Sequence, residues 1–297
     1  MDLDALLLKT SRSLARTLPL LPEPTATEIS LGWLLFRAAG VFEDATDWSR
    51  ERRLEGLERL VELLEAPLPQ QGAFALGFVL WVNQQRPERG LGGELLDAMP
   101  ALLAKVATLA PAVRELVLKH TARSAEGMAR FVARTNGKLV FSSVAEIREH
   151  CQSIAGVFGE LLTQLLLHDC AALRHDTAKL RSCMIAFGEG LRLVRLLRSV
   201  EAGRVVLTES LPRETVAALA LEDLDRATSY VRVLQQSSAP RGYRVFCAAT
   251  LMIGFRTLAT LTAQAGRKPT VEELDRLVAL AGEVADEESD LRALALR

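Results

Sequence analysis

Tyrosine and tryptophan are scarce in this sequence, with two and three residues among 297. Leu, Ala, Glu and Arg dominate in their place, a composition that favours helix over sheet. An excess of charge of either sign is also missing. The 36 basic and 37 acidic residues nearly cancel, which excludes bulk attraction to nucleic acid or to an acidic membrane. The four cysteines (Cys151, Cys170, Cys183, Cys247) form no CxxC pair. They read as small core residues of a reducing cytoplasm, not as a zinc site or a disulfide framework. No apolar run reaches the ~18 residues of a membrane span. The longest candidate, Ala248 to Thr262, is interrupted by Gly254 and Arg256. The opening MDLDALLLKTSR is acidic and lacks the basic-then-apolar order of a signal peptide. A cytoplasmic chain without a membrane span is therefore expected. There is no internal repeat, no low-complexity tract and no composition break that would mark a second domain.

What is present is helix after helix. Three pairs read as capping boxes, Thr25/Glu28, Ser143/Glu146 and Thr270/Glu273, in which a hydroxyl and a carboxylate satisfy the free N–H groups of a first turn. Pro22 and Pro24 separate the first helix from the second. Pro67 and Pro69 end the helix that carries Arg52, Leu57, Leu60 and Leu64. Arg86 to Gly93 is the most flexible link, Pro111 opens another helix, and Asn136 with Gly137 closes it. Val205 to Leu207 is the one notable β-branched triplet, too short to build a sheet. A chain of this length buries roughly 75% of its unfolded surface. The expectation is an all-α protein of about ten to twelve helices in a single domain, residues 1–297.

Four stretches resemble the squalene/phytoene synthase family, in the family's order. Ser11-Arg12-Ser13-Leu14 is similar to its SxSF opening. Gly32-Trp33-Leu34-Leu35-Phe36-Arg37-Ala38-Ala39-Gly40-Val41-Phe42-Glu43-Asp44 resembles YLLxRxxDTxED. His150-Cys151-Gln152-Ser153-Ile154-Ala155-Gly156-Val157-Phe158-Gly159 is similar to YCxxVAGxVG. Phe187-Gly188-Glu189-Gly190-Leu191-Arg192-Leu193-Val194-Arg195-Leu196-Leu197-Arg198-Ser199-Val200 resembles FGxGLQLVNILKDV. Gly203 to Leu207 resembles GRxYLP, and Tyr243 to Leu258 fits the last core helix. The resemblance implies an isoprenoid synthase-type helical bundle around a central cavity that binds isoprenyl diphosphates.

Family members ionise an allylic diphosphate, with Mg²⁺ held by two acidic motifs on the leaving pyrophosphate. The first motif places Asp residues four apart; here the positions are Gly40 and Asp44. The second uses an Asn and an Asp four apart; here they are Arg195 and Ser199, and a further Asp falls in a deletion before Gly203. The family's tyrosine before CxxVAG is His150. A three-Mg²⁺ cluster cannot be assembled from these residues, although a residual Mg²⁺ on Asp44, Glu43 and Asp47 is one reading.

On a helix, Arg37, Gly40 and Asp44 lie within ~60° of one another, with Glu43 and Asp47 on an adjoining strip. Arg37 is a candidate diphosphate contact, and Asp44 a remnant ligand or a base. The alternative is a helix end whose carboxylates simply face water. Leu193, Leu196, Leu197 and Val200 form an apolar side, opposite Arg192, Arg195 and Ser199. That opposite side is either a solvated basic face or a diphosphate grip in which Arg195 replaces a metal ligand. His150 can accept a proton or hydrogen-bond a substrate, or serve as a buried structural histidine. Ser11, Arg12 and Ser13 are candidate phosphate contacts, or Ser11 or Ser13 caps a helix. His168-Asp169 and His175-Asp176 read as a polar helix–helix link before a metal site.

The resemblance implies a prenyltransferase that moves a short allylic group, dimethylallyl, from its diphosphate to an aromatic acceptor such as a carbazole in secondary metabolism. Loss of one metal site suits a reaction in which only one substrate carries diphosphate. The alternatives are a non-catalytic lipid-binding or assembly protein, and a head-to-head synthase with an altered site. A monomer or homodimer is expected.

Overall fold

A computed structural model gives the structure of residues 3–85, 91–237, 239–263, 269–287 and 289–297. The chain runs through α1 (Leu3–Thr10), α2 (Leu14–Thr17), α3 (Thr25–Asp44), α4 (Arg50–Glu65), α5 (Leu68–Gln85), α6 (Leu91–Asp97), α7 (Met99–Ala107) and α8 (Pro111–Ala133). It continues through β1 (Leu139–Phe141), α9 (Val144–Cys151), α10 (Val157–Asp169), α11 (Thr177–Glu201), β2 (Val205–Leu207), α12 (Arg213–Gln236), α13 (Arg241–Ala263), α14 (Val271–Glu283) and α15 (Leu291–Leu296). The fold is nearly all-α. Fifteen α-helices stand among the described residues, more than the ten to twelve expected, because pieces as short as α2, α6 and α15 form separate helices. Val205–Leu207 does pair, against β1, in a two-stranded sheet.

The local signals act in part where the sequence places them, and of the three expected capping boxes one is seen in full. Thr270 and Glu273 form a full reciprocal capping box on α14. The Ser143 hydroxyl accepts from the Glu146 N–H at 3.2 Å, while the Glu146 carboxylate accepts from the N–H and hydroxyl of Ser142, both at 2.8 Å. At the expected Thr25/Glu28 box the Thr25 hydroxyl is turned elsewhere: it donates to Asp169 at 2.5 Å and meets the Tyr243 hydroxyl at 2.9 Å. Pro111 opens α8. α4 ends before Pro67 as expected, but Pro69 sits in the first turn of α5, where its missing N–H costs nothing. Of the link Arg86 to Gly93, residues 86–90 lie outside the described residues, and Leu91–Gly93 already belong to α6.

The backbone groups into two compact units, Met1–Arg12 with Thr27–Leu139, and Ser13–Ala26 with Val140–Arg297. In the first, α4 packs along α8, and α5 packs against α4 and α7. Leu57, Leu60, Leu63 and Leu64 of α4 are buried, each contributing ~1.5–3 kcal/mol. The three tryptophans lie in this unit. Phe42 lies 6.1, 6.0 and 6.3 Å from the rings of Trp48, Phe78 and Trp81. Gly56 admits the Phe42 ring, which a Cβ at that position would meet at 2.5 Å.

In the second unit α11 is the axis, flanked by α10, α12 and α13. Glycines set how closely its neighbours approach. A Cβ on Gly188 would come 2.1 Å from the Ala155 carbonyl oxygen, and one on Gly159 would come 2.5 Å from that of Met184. One on Gly190 would come 3.0 Å from the Leu224 nitrogen. α13 corrects one expectation: its 23 residues are long and apolar enough to cross a membrane. Of its apolar window 78% is buried, as for a core helix.

Candidate functional site

The first set of candidate residues lies on α3. Arg37 is half-buried and Gly40 is buried. A Cβ built on Gly40 would meet the Arg37 guanidinium, 3.3 Å from Nη1 and 3.9 Å from Cζ. The place where the resemblance expects a carboxylate is therefore covered by a cation from the preceding turn. Asp44 is half-buried, Glu43 is buried and Asp47 is exposed. Beside them stands Arg53 of α4, fully buried at 0% exposure. Its guanidinium donates to the carbonyls of Phe42 (3.0 Å) and Glu43 (2.5 Å), which the end of α3 leaves open, and to that of Gly137 after α8. Burial pushes the Arg53 pKa down, and Glu43, Asp44 and Asp47 pull it back up. These three carboxylates thus already answer a buried cation.

That arrangement does not fit the Mg²⁺ cluster implied by the resemblance. A guanidinium covers the Gly40 position, and Arg195 and Ser199 stand where an Asn and an Asp would donate oxygens. Among the described residues no three His, Cys, Asp or Glu side chains gather in a way that could hold a metal ion.

The second set lies on α9 and α11. His150 is 1% exposed and Arg192 8%. Arg192 Nη2 lies 3.3 Å from His150 Nε2. A guanidinium has no acceptor, so in this contact Nε2 accepts from Arg192. With Nε2 engaged by Arg192, the proton-accepting role expected for that nitrogen would require Arg192 to move. Phe141 packs edge-on against the imidazole at 4.9 Å. Residues Gln152–Gly156 then widen into a π-helical turn, a feature that clusters at functional sites. Cys151 in front of it is buried, and burial pushes its thiol up to about 12, so it is inert. Ser199 is buried and Arg195 half-buried. The face carrying Arg192 and Ser199 is therefore packed, and the solvated-basic-face alternative does not hold for these two residues.

A third cluster was not foreseen. Arg148 of α9 donates through Nη1 to Asp223 of α12 and, at 3.4 Å, to Glu189 of α11. Its Nη2 lies 3.8 Å from Glu222. Asp223 is 0% exposed and Glu189 9%. Burial, then the neighbouring Asp223, push the Glu189 carboxyl up to about 7 against the pull of Arg148. Burial also raises Asp223, opposed by Arg148 and Arg226. One signal was legible: Glu189 stands four residues before Leu193, on the apolar stripe of α11, where a charged residue must be buried with partners.

The remaining candidates are scattered along the chain. Ser11 closes α1 through its N–H to the Leu7 carbonyl at 2.7 Å. Arg12 is exposed. Ser13 precedes α2 without a side-chain cap. Asp169 accepts from Thr25, and Asp176 pairs with Lys179 at 3.1 Å; His168 and His175 are exposed.

The family model for squalene/phytoene synthases matches residues 7–207. Among curated proteins no relative matches. Among solved structures, the chain is similar to two ligand complexes of the squalene synthase TcSQS. Both have a TM-score of 0.74 and 18% identity, over 99% of this chain and 88% or 87% of those chains. It is also similar to a dehydrosqualene synthase in complex with ligand, with a TM-score of 0.62 and 16% identity over 95% of this chain and 94% of that one. These structural likenesses show an isoprenoid synthase-type fold, and the match over residues 7–207 shows that the chain belongs to the squalene/phytoene synthase family.

Proposed function

We propose that this protein is a prenyltransferase that moves a dimethylallyl group from its diphosphate to an aromatic acceptor such as a carbazole, in secondary metabolism. The family processes isoprenyl diphosphates. The observation that carries the finer reading is the Arg37 guanidinium lying over Gly40, with Arg195 as a second cation at a family ligand position. Guanidinium groups grip phosphate oxygens in a bidentate way and keep their charge. They suit a reaction in which one substrate only carries diphosphate.

The chemistry balances without a metal. The allylic C–O bond breaks, and pyrophosphate leaves with the bonding pair. The π electrons of the aromatic ring form the new C–C bond, and the ring then gives up a proton to a base and regains aromaticity. Arginines stabilise the charge that develops on the leaving group, and holding donor and acceptor in register supplies much of the rate.

The test is a mass-spectrometric screen of dimethylallyl, geranyl and farnesyl diphosphates with carbazole, with and without EDTA, scored for prenylated product and pyrophosphate. Prenylated carbazole from dimethylallyl diphosphate in EDTA is expected. A C30 hydrocarbon from farnesyl diphosphate with Mg²⁺ and reductant would mean a head-to-head synthase. No product and no pyrophosphate from any donor would mean a non-catalytic lipid-binding relative.

A further inference from the structure

Two buried carboxylates that share one cation cannot both ionise at low cost. Glu189 and Asp223 are in that position. The same Arg148 nitrogen reaches both, and both carboxylates are buried. The other charges near them are a solvent-facing cation and a carboxylate that pairs with it, and they offset one another in part. On α12, Arg226 reaches Asp223 only at 3.7 Å, is itself 60% exposed, and also pairs with Glu222. On α11, Arg192 is turned to His150 of α9. Cys151 at the end of α9 is a neutral thiol. Where Gly254 of α13 meets Leu191 of α11 and Leu224 of α12 the contact is apolar.

We propose that Glu189 and Asp223 hold one proton between them, and that its release loosens the packing of α9 against α11 and α12. The proton sits on Glu189, because Asp223 has the shorter contact to Arg148 and a second cation in Arg226. Each of the three helices contributes one member: Arg148 from α9, Glu189 from α11, Asp223 from α12. When the proton leaves, a second negative charge appears in the same buried space. An opening that lets water reach Glu189 relieves it. The opened state therefore binds fewer protons than the closed one and is favoured as pH rises. The device does not depend on the prenyl-transfer reading. It would make the helix that carries His150 easier to open on the alkaline side.

The test is amide hydrogen exchange of α9 peptides between pH 5 and 8, corrected for the intrinsic pH dependence of exchange. In the wild type, protection of α9 should fall by up to about tenfold per pH unit and level off near pH 7. Glu189→Gln carries no titrating proton and should give a flat, highly protected profile. As a check on the unmodified protein, isotope-edited infrared spectra should show a protonated carboxyl band at pH 6 that is lost by pH 8. A flat wild-type exchange profile, a Glu189→Gln profile that follows the wild type, or a missing protonated band would each overturn the proposal.

Discussion

The Arg37 guanidinium lies over Gly40, one turn along the same helix, where a Cβ would stand 3.3 Å from Nη1. Restoring the family's carboxylate at position 40 should therefore harm the protein. The new carboxylate of Gly40→Asp would neutralise Arg37 and repel diphosphate. Affinity for a dimethylallyl diphosphate analogue, measured by calorimetry in EDTA, should fall about tenfold or more, ~1.4 kcal/mol. Gly40→Ala supplies the crowding without the charge and should lose less. Equal losses in the two variants would assign the effect to space and remove the argument for Arg37.

Arg195 is half-buried on α11 at a position where the resemblance expects an amide. Truncating a charged partner of this kind costs about 2–5 kcal/mol. Arg195→Ala should weaken donor binding accordingly, while circular dichroism stays helical. Arg195→Asn restores the family's residue type but not the missing aspartates, and should not rescue binding. Wild-type affinity in both variants would reject a diphosphate role for this side chain.

Arg53 offers a second account of the acidic end of α3. If Glu43, Asp44 and Asp47 serve this buried guanidinium, Asp44→Asn should lower stability in urea by roughly 0.5–1 kcal/mol. Turnover should then be no more sensitive to EDTA than in the wild type. If Asp44 holds a residual Mg²⁺, wild-type activity should vanish in EDTA, and Asp44→Asn should be inactive with or without metal. The comparison of wild type and variant in EDTA decides between them.

The helical fold was legible because periodicity, prolines and capping pairs are local signals. The capping box at Thr270 and Glu273 needs only three residues of separation to be read. The charged interior was harder. Arg148 and Asp223 are 75 positions apart, and no periodicity links them. Even so, Arg53 stands four residues before Leu57, and Glu189 four before Leu193, each on an apolar stripe. A charged residue in that register is a sign of burial with partners. The opposite face of α11 stayed open between two readings for the complementary reason. A row with Arg192 and Ser199 looks solvated until neighbouring elements cover it, as α9 meets Arg192 through His150.

The glycines of α11 make a prediction about packing. A Cβ on Gly188 would overlap the Ala155 carbonyl oxygen, a backbone atom that cannot rotate away. Gly188→Ala should cost at least the ~1–3 kcal/mol of a typical overpacked site. Gly77 of α5 has nothing within 4 Å of its would-be Cβ. There the helix gains from losing glycine, so Gly77→Ala should be neutral or stabilising by ~0.5–1 kcal/mol. Thermal unfolding of the two variants side by side tests whether close helix approach is the reason for the first glycine.

The pH dependence of global stability follows from Glu189. Its carboxyl is raised from an ordinary value of 4.5 to about 7 in the folded chain, so the folded state holds a proton that the unfolded state has released. For a raised group, the stabilising contribution is complete below the unfolded value and is lost as pH climbs through the folded one. The window is pH 4.5 to 7, and stability falls across it as pH rises. A shift of this size corresponds to about 3 kcal/mol at most, and the side chain is 11% exposed, so little of it is screened. Glu189→Gln removes the titration and keeps a carbonyl oxygen that can accept from Arg148. Urea denaturation of both proteins at pH 5, 6, 7 and 8 isolates the shared proton, because titrating groups outside the Glu189–Asp223 pair contribute equally to the two curves. The variant should gain on the wild type steadily from pH 5 to 7, and the gap should stay constant above it. A gap that is independent of pH, or one that grows toward acid, would show that Glu189 enters folding already ionised and that Arg148 compensates it in full.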